Sequence, residues 1–198
     1  EDGNRLNDDE IPGHELGNIV HRVFSKYDFP EENLKEYIAK ELSVYDPGTD
    51  QKNIDHVAGW VNSFYNSDVG KEVLSSEWCK REKSFIFNYR NNLIRGQIDL
   101  FHSDKRGLIK IIDYKANDIA IDEIPEKVEL YRLQMQLYAR ALEKIYGKKV
   151  DETILYFLVP DKPVVIDTTG EACRELDSTL DNFFAAHKSG NFKYIIFC

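Results

Sequence analysis

Two carboxylates and a lysine stand close together near the middle of the 198-residue chain, in Gly96-Gln-Ile-Asp99-Leu and, after a short gap, Ile111-Ile-Asp113-Tyr-Lys115. Mg²⁺ prefers oxygen ligands at about 2.0–2.1 Å and keeps several waters, so two protein carboxylates are a typical complement. A divalent cation so held lowers the pKa of its water and neutralises a phosphate, while a nearby ammonium can orient or help deprotonate that water. The chemistry on offer is hydrolysis of a phosphodiester, with Asp99 and Asp113 on the metal and Lys115 serving the water. The plainer reading is a surface ion pair, since Asp-x-Lys is common in strands. Against it stands the apolar run Leu108-Ile-Lys-Ile-Ile112, which reads as a mostly buried strand whose terminal charges need partners.

The elements that must position these groups can be read from periodicity. A period of two runs from Leu93 to Phe101, breaks at Ser103-Asp-Lys-Arg-Gly107 and resumes from Leu108 to Lys115, predicting an antiparallel hairpin. Folding about Lys105 sets Asp99 against the Ile111 to Asp113 segment, where cross-strand side chains lie roughly 4.5–5.5 Å apart. Asp113 and Lys115, two residues apart, share a face, and Tyr114 points the other way.

Upstream, Leu16, Val20, Val23, Phe24 and Tyr27 form a helical apolar stripe, with Gly17 and His21 one turn apart on an adjoining face. Gly17 is expected to allow a close backbone approach; His21 reads either as a partly exposed helix histidine or as a metal ligand joining the carboxylates. Downstream, a helix is predicted over residues 129–146, packing through Leu133, Leu137 and Leu142 and placing Tyr131, Gln134 and Tyr138 on one side. An amide and a phenol there either cap a core edge or donate to phosphate oxygens or to Lys115.

The length suits one domain. Residues 1–13 are acidic and turn-rich and read as a mobile lead-in, followed by one domain over residues 14–198. Stripes at Leu34, Tyr37, Ile38, Leu42 and Tyr45, and at Ile54, Val57, Val61, Phe64 and Tyr65, predict two helices separated by Asp46-Pro-Gly48. Beyond the 129–146 helix come a strand over 153–159, a Pro160-Asp-Lys-Pro163 turn, a strand over 164–167 and a helix over 171–187. The chain starts at Glu1 without a methionine and stops at Ile195-Ile-Phe-Cys198, which reads as part of something larger, and neither a signal peptide nor a transmembrane segment is expected from its hydropathy.

Four of these stretches occur in the order of a known set. Glu15-Leu-Gly17-Asn-Ile-Val-His21, Gly96-Gln-Ile-Asp99, Asp113-Tyr-Lys115 and Tyr131-Arg-Leu-Gln134-Met-Gln-Leu-Tyr138 together resemble the motifs of the PD-(D/E)xK nucleases, and within them the RecB/AddA-type nuclease domains of helicase–nucleases. The resemblance covers His14 to Ala141. It implies an α/β fold, a central mixed β-sheet with an antiparallel hairpin flanked by helices. It implies that His21, Asp99, Asp113 and the backbone carbonyl of Tyr114 bind metal, that Lys115 is the catalytic lysine, and that Gln134 and Tyr138 complete the site. Glu82 looks like the family's acidic position on the preceding strand, behind the ligands or at an auxiliary metal. Ala116 stands where the family usually has Thr or Ser.

The activity implied is a Mg²⁺-dependent exonuclease, with Mn²⁺ able to substitute, acting on single-stranded DNA in double-strand-break repair and recombination. The implied partners are helicase domains of the same polypeptide, of which this would be the C-terminal part, and a second subunit. The alternatives are a nuclease-like docking or DNA-guiding module that does not cut, and a stand-alone repair or phage-type exonuclease. Some relatives carry a [4Fe–4S] cluster on four cysteines; with only Cys79, Cys173 and Cys198 here, none is expected, nor is a disulfide framework. The formal charge of −9 argues against strong autonomous DNA binding, so delivery of the strand by the helicase portion is expected. Lys105, Arg106, Arg90 and Arg95 read either as a small basic edge near the hairpin or as solvated turns. No membrane partner is expected, and the cytoplasm is the expected location.

Overall fold

The structure, a computed structural model, describes residues 13–26, 33–44, 50–168, 170–186 and 194–197. Most of the predicted lead-in, Tyr27, Tyr45, the Asp46-Pro-Gly48 break and Cys198 lie outside them.

Four helices precede the sheet: α1 (Gly13–Lys26), α2 (Leu34–Ser43), α3 (Gln51–Asn66) and α4 (Asp68–Leu74). Asp50 caps α3 by accepting from Lys52 N–H, and Ser67 caps α4 by accepting from Gly70 N–H. Their apolar stripes converge on one core, in which Phe24, Ile38, Leu42, Val61 and Phe64 are at most 1% exposed.

The strands β1 (Trp78–Tyr89), β2 (Asn92–Ser103) and β3 (Ile109–Lys115) follow, joined by tight turns. Arg90 and Asn91 both have positive φ (47° and 68°), as a two-residue hairpin turn with right-handed strand twist requires. The 23-residue α5 (Ile124–Tyr146) then crosses to β4 (Glu152–Phe157), which lies parallel to β3, and β5 (Lys162–Ile166), α6 (Gly170–Ala186) and β6 (Tyr194–Phe197) complete the chain. The sheet runs β1-β2-β3-β4-β5, with β6 parallel to β2. Helices α5 and α6 cover the face opposite α1–α4 and enclose a second core with Ile98, Phe101, Met135, Leu137, Leu155 and Leu176. The expected mixed sheet with a central antiparallel hairpin flanked by helices is the architecture observed.

Several boundaries differ from the periodicity. Helix α5 starts at Ile124 because Pro125 fits a first turn, where its missing N–H costs nothing. Pro163 sits inside β5, tolerated because β5 is an edge strand, so the turn falls at 158–161 instead. A Cβ on Gly17 would meet nothing within 4 Å, so this glycine serves no close backbone approach. Arg90 and the Lys105-Arg106 turn lie at opposite ends of the twelve-residue β2, so they do not form one basic edge. Arg90 instead pairs with Asp181 (2.5 Å) and Arg106 with Asp104 (2.9 Å).

Both long strands break their alternation at one level. The β1–β2 pairs run from Trp78↔Ser103 to Arg81↔Leu100 and resume at Lys83↔Ile98, leaving Glu82 and Asp99 out of the ladder. Glu82 has φ +46°, a left-handed conformation costing a non-glycine residue on the order of 1–3 kcal/mol. On one side of this point Trp78 and Phe101 pack on the α5–α6 core; on the other it is Phe85, Phe87, Ile94 and Ile98 that do so. Residues of opposite parity thus face the same layer across the break, while register is kept because each strand contributes one aberrant residue. The other edge of β2 pairs with β3 from Leu100 to Ser103 and with β6 from Leu93 to Gly96, so Gln97 to Asp99 fall between the two partners.

Candidate active site

Asp99 occupies this interruption. Beyond Leu100↔Ile112 the β2–β3 ladder stops, and Tyr114 N–H donates to Asp99 Oδ2 (2.9 Å) rather than to a strand carbonyl. His21 reaches the same point from α1: its Nδ1 lies 3.4 Å from Asp99 Oδ1 and 3.8 Å from Glu82 Oε1. Gln97 Nε2 donates to the other oxygen of Glu82. One ligand atom each from His21, Glu82 and Asp99 falls within 4.8 Å of the others, a spacing that one cation could bridge. The ring of Tyr114 anchors the strand end from behind, stacked on Phe24 at 4.2 Å and edge-on to Phe64 at 5.1 Å.

The rest comes from Asp113 and Lys115 of β3 and from α5 in the opposite layer. Asp113 is 1% exposed, and Lys115 Nζ lies 2.6 Å from its Oδ2. The two form a largely buried ion pair. Lys115 Nζ also donates to Gln134 Oε1 (3.2 Å), and Gln134 Nε2 donates to Tyr138 OH (2.7 Å), which fixes the amide. The Tyr131 ring lies below the same ammonium, its centroid 4.2 Å from Nζ.

The electrostatics are those of a site short of positive charge. Burial pushes the Asp113 carboxyl up, and the Asp99 charge pushes it further, to about 6 despite Lys115. Burial lowers the His21 imidazole, yet the carboxylates of Asp99 and Glu82 beside it and the charge of Asp113 outweigh it and hold it at about 10. Burial also works against charge on Lys115, and Asp113 overcomes it, leaving the ammonium's pKa raised. Buried carboxylates that force protons onto themselves and onto a histidine would be relieved by a divalent cation, and the donor set of imidazole and carboxylate oxygens suits one. The residues present fit a metal ion.

All eight residues singled out from the sequence meet here. Asp99, Asp113, Tyr114, Lys115, Gln134 and Tyr138 are joined by direct contacts, and His21 and Glu82 reach them through Asp99. Glu82, expected behind the ligands or at an auxiliary metal, stands within the compact trio, and Asp113 stands beside it. Two further residues take part. Gln97 gives no signal in the sequence, and Tyr131, which helical spacing places on the side of Gln134 and Tyr138, has no role assigned by that spacing.

A sequence model of the PD-(D/E)XK nuclease superfamily matches residues 1–191. The chain belongs to this superfamily. Among curated proteins it is similar to an ATP-dependent helicase/nuclease subunit of Clostridium novyi (strain NT), 29% identical over 178 residues, covering 80% of this chain and 14% of that protein. The ATP-dependent helicase/nuclease subunits of Alkaliphilus oremlandii (strain OhILAs; 33% over 175 residues, 76% and 14%) and Thermoanaerobacter sp. (strain X514; 30% over 165 residues, 72% and 13%) are similar in the same way. The chain thus spans about one seventh of the length of these relatives. As a PD-(D/E)XK nuclease domain, it carries its acidic residues and lysine on the β2–β3 hairpin, with a helix from each layer closing the site. Among the described residues, no helix is long and apolar enough to cross a membrane.

Proposed function

We propose that this chain is the nuclease module of a helicase–nuclease, a Mg²⁺-dependent exonuclease that hydrolyses phosphodiesters of single-stranded DNA during the repair and recombination of double-strand breaks. The observation that carries this reading is the convergence of His21, Glu82 and Asp99 within 4.8 Å of one another beside the buried Asp113–Lys115 ion pair. His21, Asp99, Asp113 and the Tyr114 carbonyl would hold the ion, with Glu82 as a further ligand. In an extended strand a residue's N–H and C=O leave by the same edge, and Tyr114 N–H is directed to Asp99, which turns its carbonyl toward the same gap. Bound Mg²⁺ would neutralise charge on the scissile phosphate and lower the pKa of water; Mn²⁺ would serve in its place.

The chain's own residues account for the rest. Lys115, kept charged by Asp113, acts at neutral pH as a donor that orients the attacking water or a phosphate oxygen, rather than as a base. Gln134, locked by Tyr138, fixes where that ammonium points. His21 must surrender the proton on the nitrogen that faces Asp99 before it can act as a ligand. The net charge of −9 supports delivery of the strand by helicase domains of the same polypeptide, working with a second subunit in the cytoplasm.

The test is cleavage of end-labelled single- and double-stranded DNA with and without Mg²⁺. The protein should shorten single strands from an end only with the cation, and Asp113→Ala and Lys115→Ala should each remove the activity while circular dichroism stays unchanged. Full cleavage by either variant would remove the assignment.

A further inference from the structure

Lys115 has three neighbours, and the proposed nuclease chemistry uses only two. Asp113 Oδ2 at 2.6 Å supplies charge and Gln134 Oε1 at 3.2 Å supplies a directed acceptor. The third is the ring of Tyr131, one turn before Gln134 on α5, whose centroid lies 4.2 Å from Nζ. That is well within the roughly 6 Å over which a ring's negative face attracts a cation, and the attraction is strongest where water is excluded. Lys115 is such a case, its side chain being only 12% exposed. The far end of the tyrosine is tied down as well, since its OH donates to Asn117 Oδ1 (3.3 Å) in the segment leaving β3. The ring is therefore pinned between the helix and the strand end that carries the lysine.

We propose that Tyr131 is a positioning residue of this site. Its ring face holds the Lys115 ammonium on the side of Asp113 and Gln134, so that the donor is in place when a phosphodiester arrives. The inference rests on the nuclease reading above for its kinetic consequence, but not for the contact itself. A flexible four-carbon stem ending in a compact ammonium has several rotamers open to it. Asp113 and Gln134 fix two directions; the ring blocks the third and is attracted to the charge. The hydroxyl is secondary, because the ring face does not depend on it.

Two variants separate these roles. Tyr131→Phe keeps the ring and loses the bond to Asn117; Tyr131→Leu keeps an apolar side chain and loses the ring face. For cleavage of single-stranded DNA with Mg²⁺, Tyr131→Leu should lower kcat by about 5- to 30-fold at little-changed KM, and Tyr131→Phe should stay within about threefold of the parent. The second measurement needs neither metal nor substrate. In EDTA, the ε-methylene proton resonances of Lys115, assigned by their disappearance in Lys115→Met, should be displaced upfield by the ring current in the parent and in Tyr131→Phe, and should return to the ordinary lysine position in Tyr131→Leu.

An undisplaced Lys115 resonance in the parent, or an unchanged kcat in Tyr131→Leu of a protein that cleaves, would overturn the proposal. So would a rise in KM alone, which would make Tyr131 a contact for the strand. A displaced resonance in a protein that cuts no DNA would leave the positioning intact and remove the nuclease reading instead.

Discussion

His21 holds a proton that a metal ion must displace, and this makes its behaviour with pH specific. Its folded-state pKa of about 10 lies above the 6.5 of an unconstrained imidazole, so its stabilising contribution is complete below pH 6.5 and is lost as pH rises toward 10. Asp113, raised from 3.8 to about 6, acts in the same direction over a lower window, because the folded state binds the extra proton there. In EDTA the melting temperature should therefore fall with rising pH across both windows, and His21→Gln should flatten the upper one. A slope there unchanged by His21→Gln would show that the imidazole is not paired with Asp99 and Glu82. Because a ligand histidine must be neutral, apparent affinity for Mg²⁺ should rise with pH over the same upper window. At this scale the sequence was informative where chemistry and spacing coincided: Asp99, Asp113 and Lys115 were legible from strand alternation, and Gln134 and Tyr138 from helical spacing. The place of Glu82 was not, since it depends on a left-handed residue inside a strand that no glycine or asparagine announces.

Two glycines illustrate what elements demand. Gly17 sits within α1 where a Cβ would meet nothing, so Gly17→Ala should stabilise the protein by about 0.5–1 kcal/mol through helix propensity alone. Gly70 lies in the first turn of α4, where a Cβ would stand 2.0 Å from the Phe64 carbonyl oxygen and 2.7 Å from the Tyr65 Cα. Gly70→Ala should cost about 1–3 kcal/mol, because backbone must move to admit the methyl. Urea denaturation of the two variants should shift in opposite directions; a loss in both would mean that Gly17 is needed for packing after all. Alternation places the centre of the β2–β3 hairpin to within a residue. It does not announce the β1–β2 turn, because Arg90-Asn91 adopts positive φ without the Asn-Gly signature. Helix α4 and strand β6 escape periodicity for a related reason: seven and four residues are too short for a period to declare itself.

Across the whole molecule the sheet separates two cores, and the helices-then-sheet order was legible in the sequence. The change of facing at Glu82 and Asp99 was not, because it is a property of two strands together. Phe64 shows how the first core supports the site: it meets Phe24 at 5.1 Å, Tyr156 at 4.9 Å and Tyr114 at 5.1 Å, and Tyr114 lies between Asp113 and Lys115 in sequence. Phe64→Ala should cost about 3–5 kcal/mol in urea denaturation and lower cleavage at temperatures where the variant is still folded. An equally stable variant would mean that the α1–α4 layer is not held through this ring.

The cluster at the break in β2 has a mechanical side. His21 belongs to a helix of one layer, Glu82, Asp99 and Asp113 sit in the sheet, and Lys115 of β3 reaches Gln134 of the other layer. A cation bound by the imidazole and the carboxylates would act as a rivet between the α1–α4 layer and the sheet. That layer could not peel away without ejecting it. An ion at a hundred times its dissociation constant would add about 2.7 kcal/mol to the cost of opening that side. A core that could otherwise loosen on its own would then unfold with the sheet, and the sharpness of the melting transition, not only its midpoint, would record whether the rivet is in place.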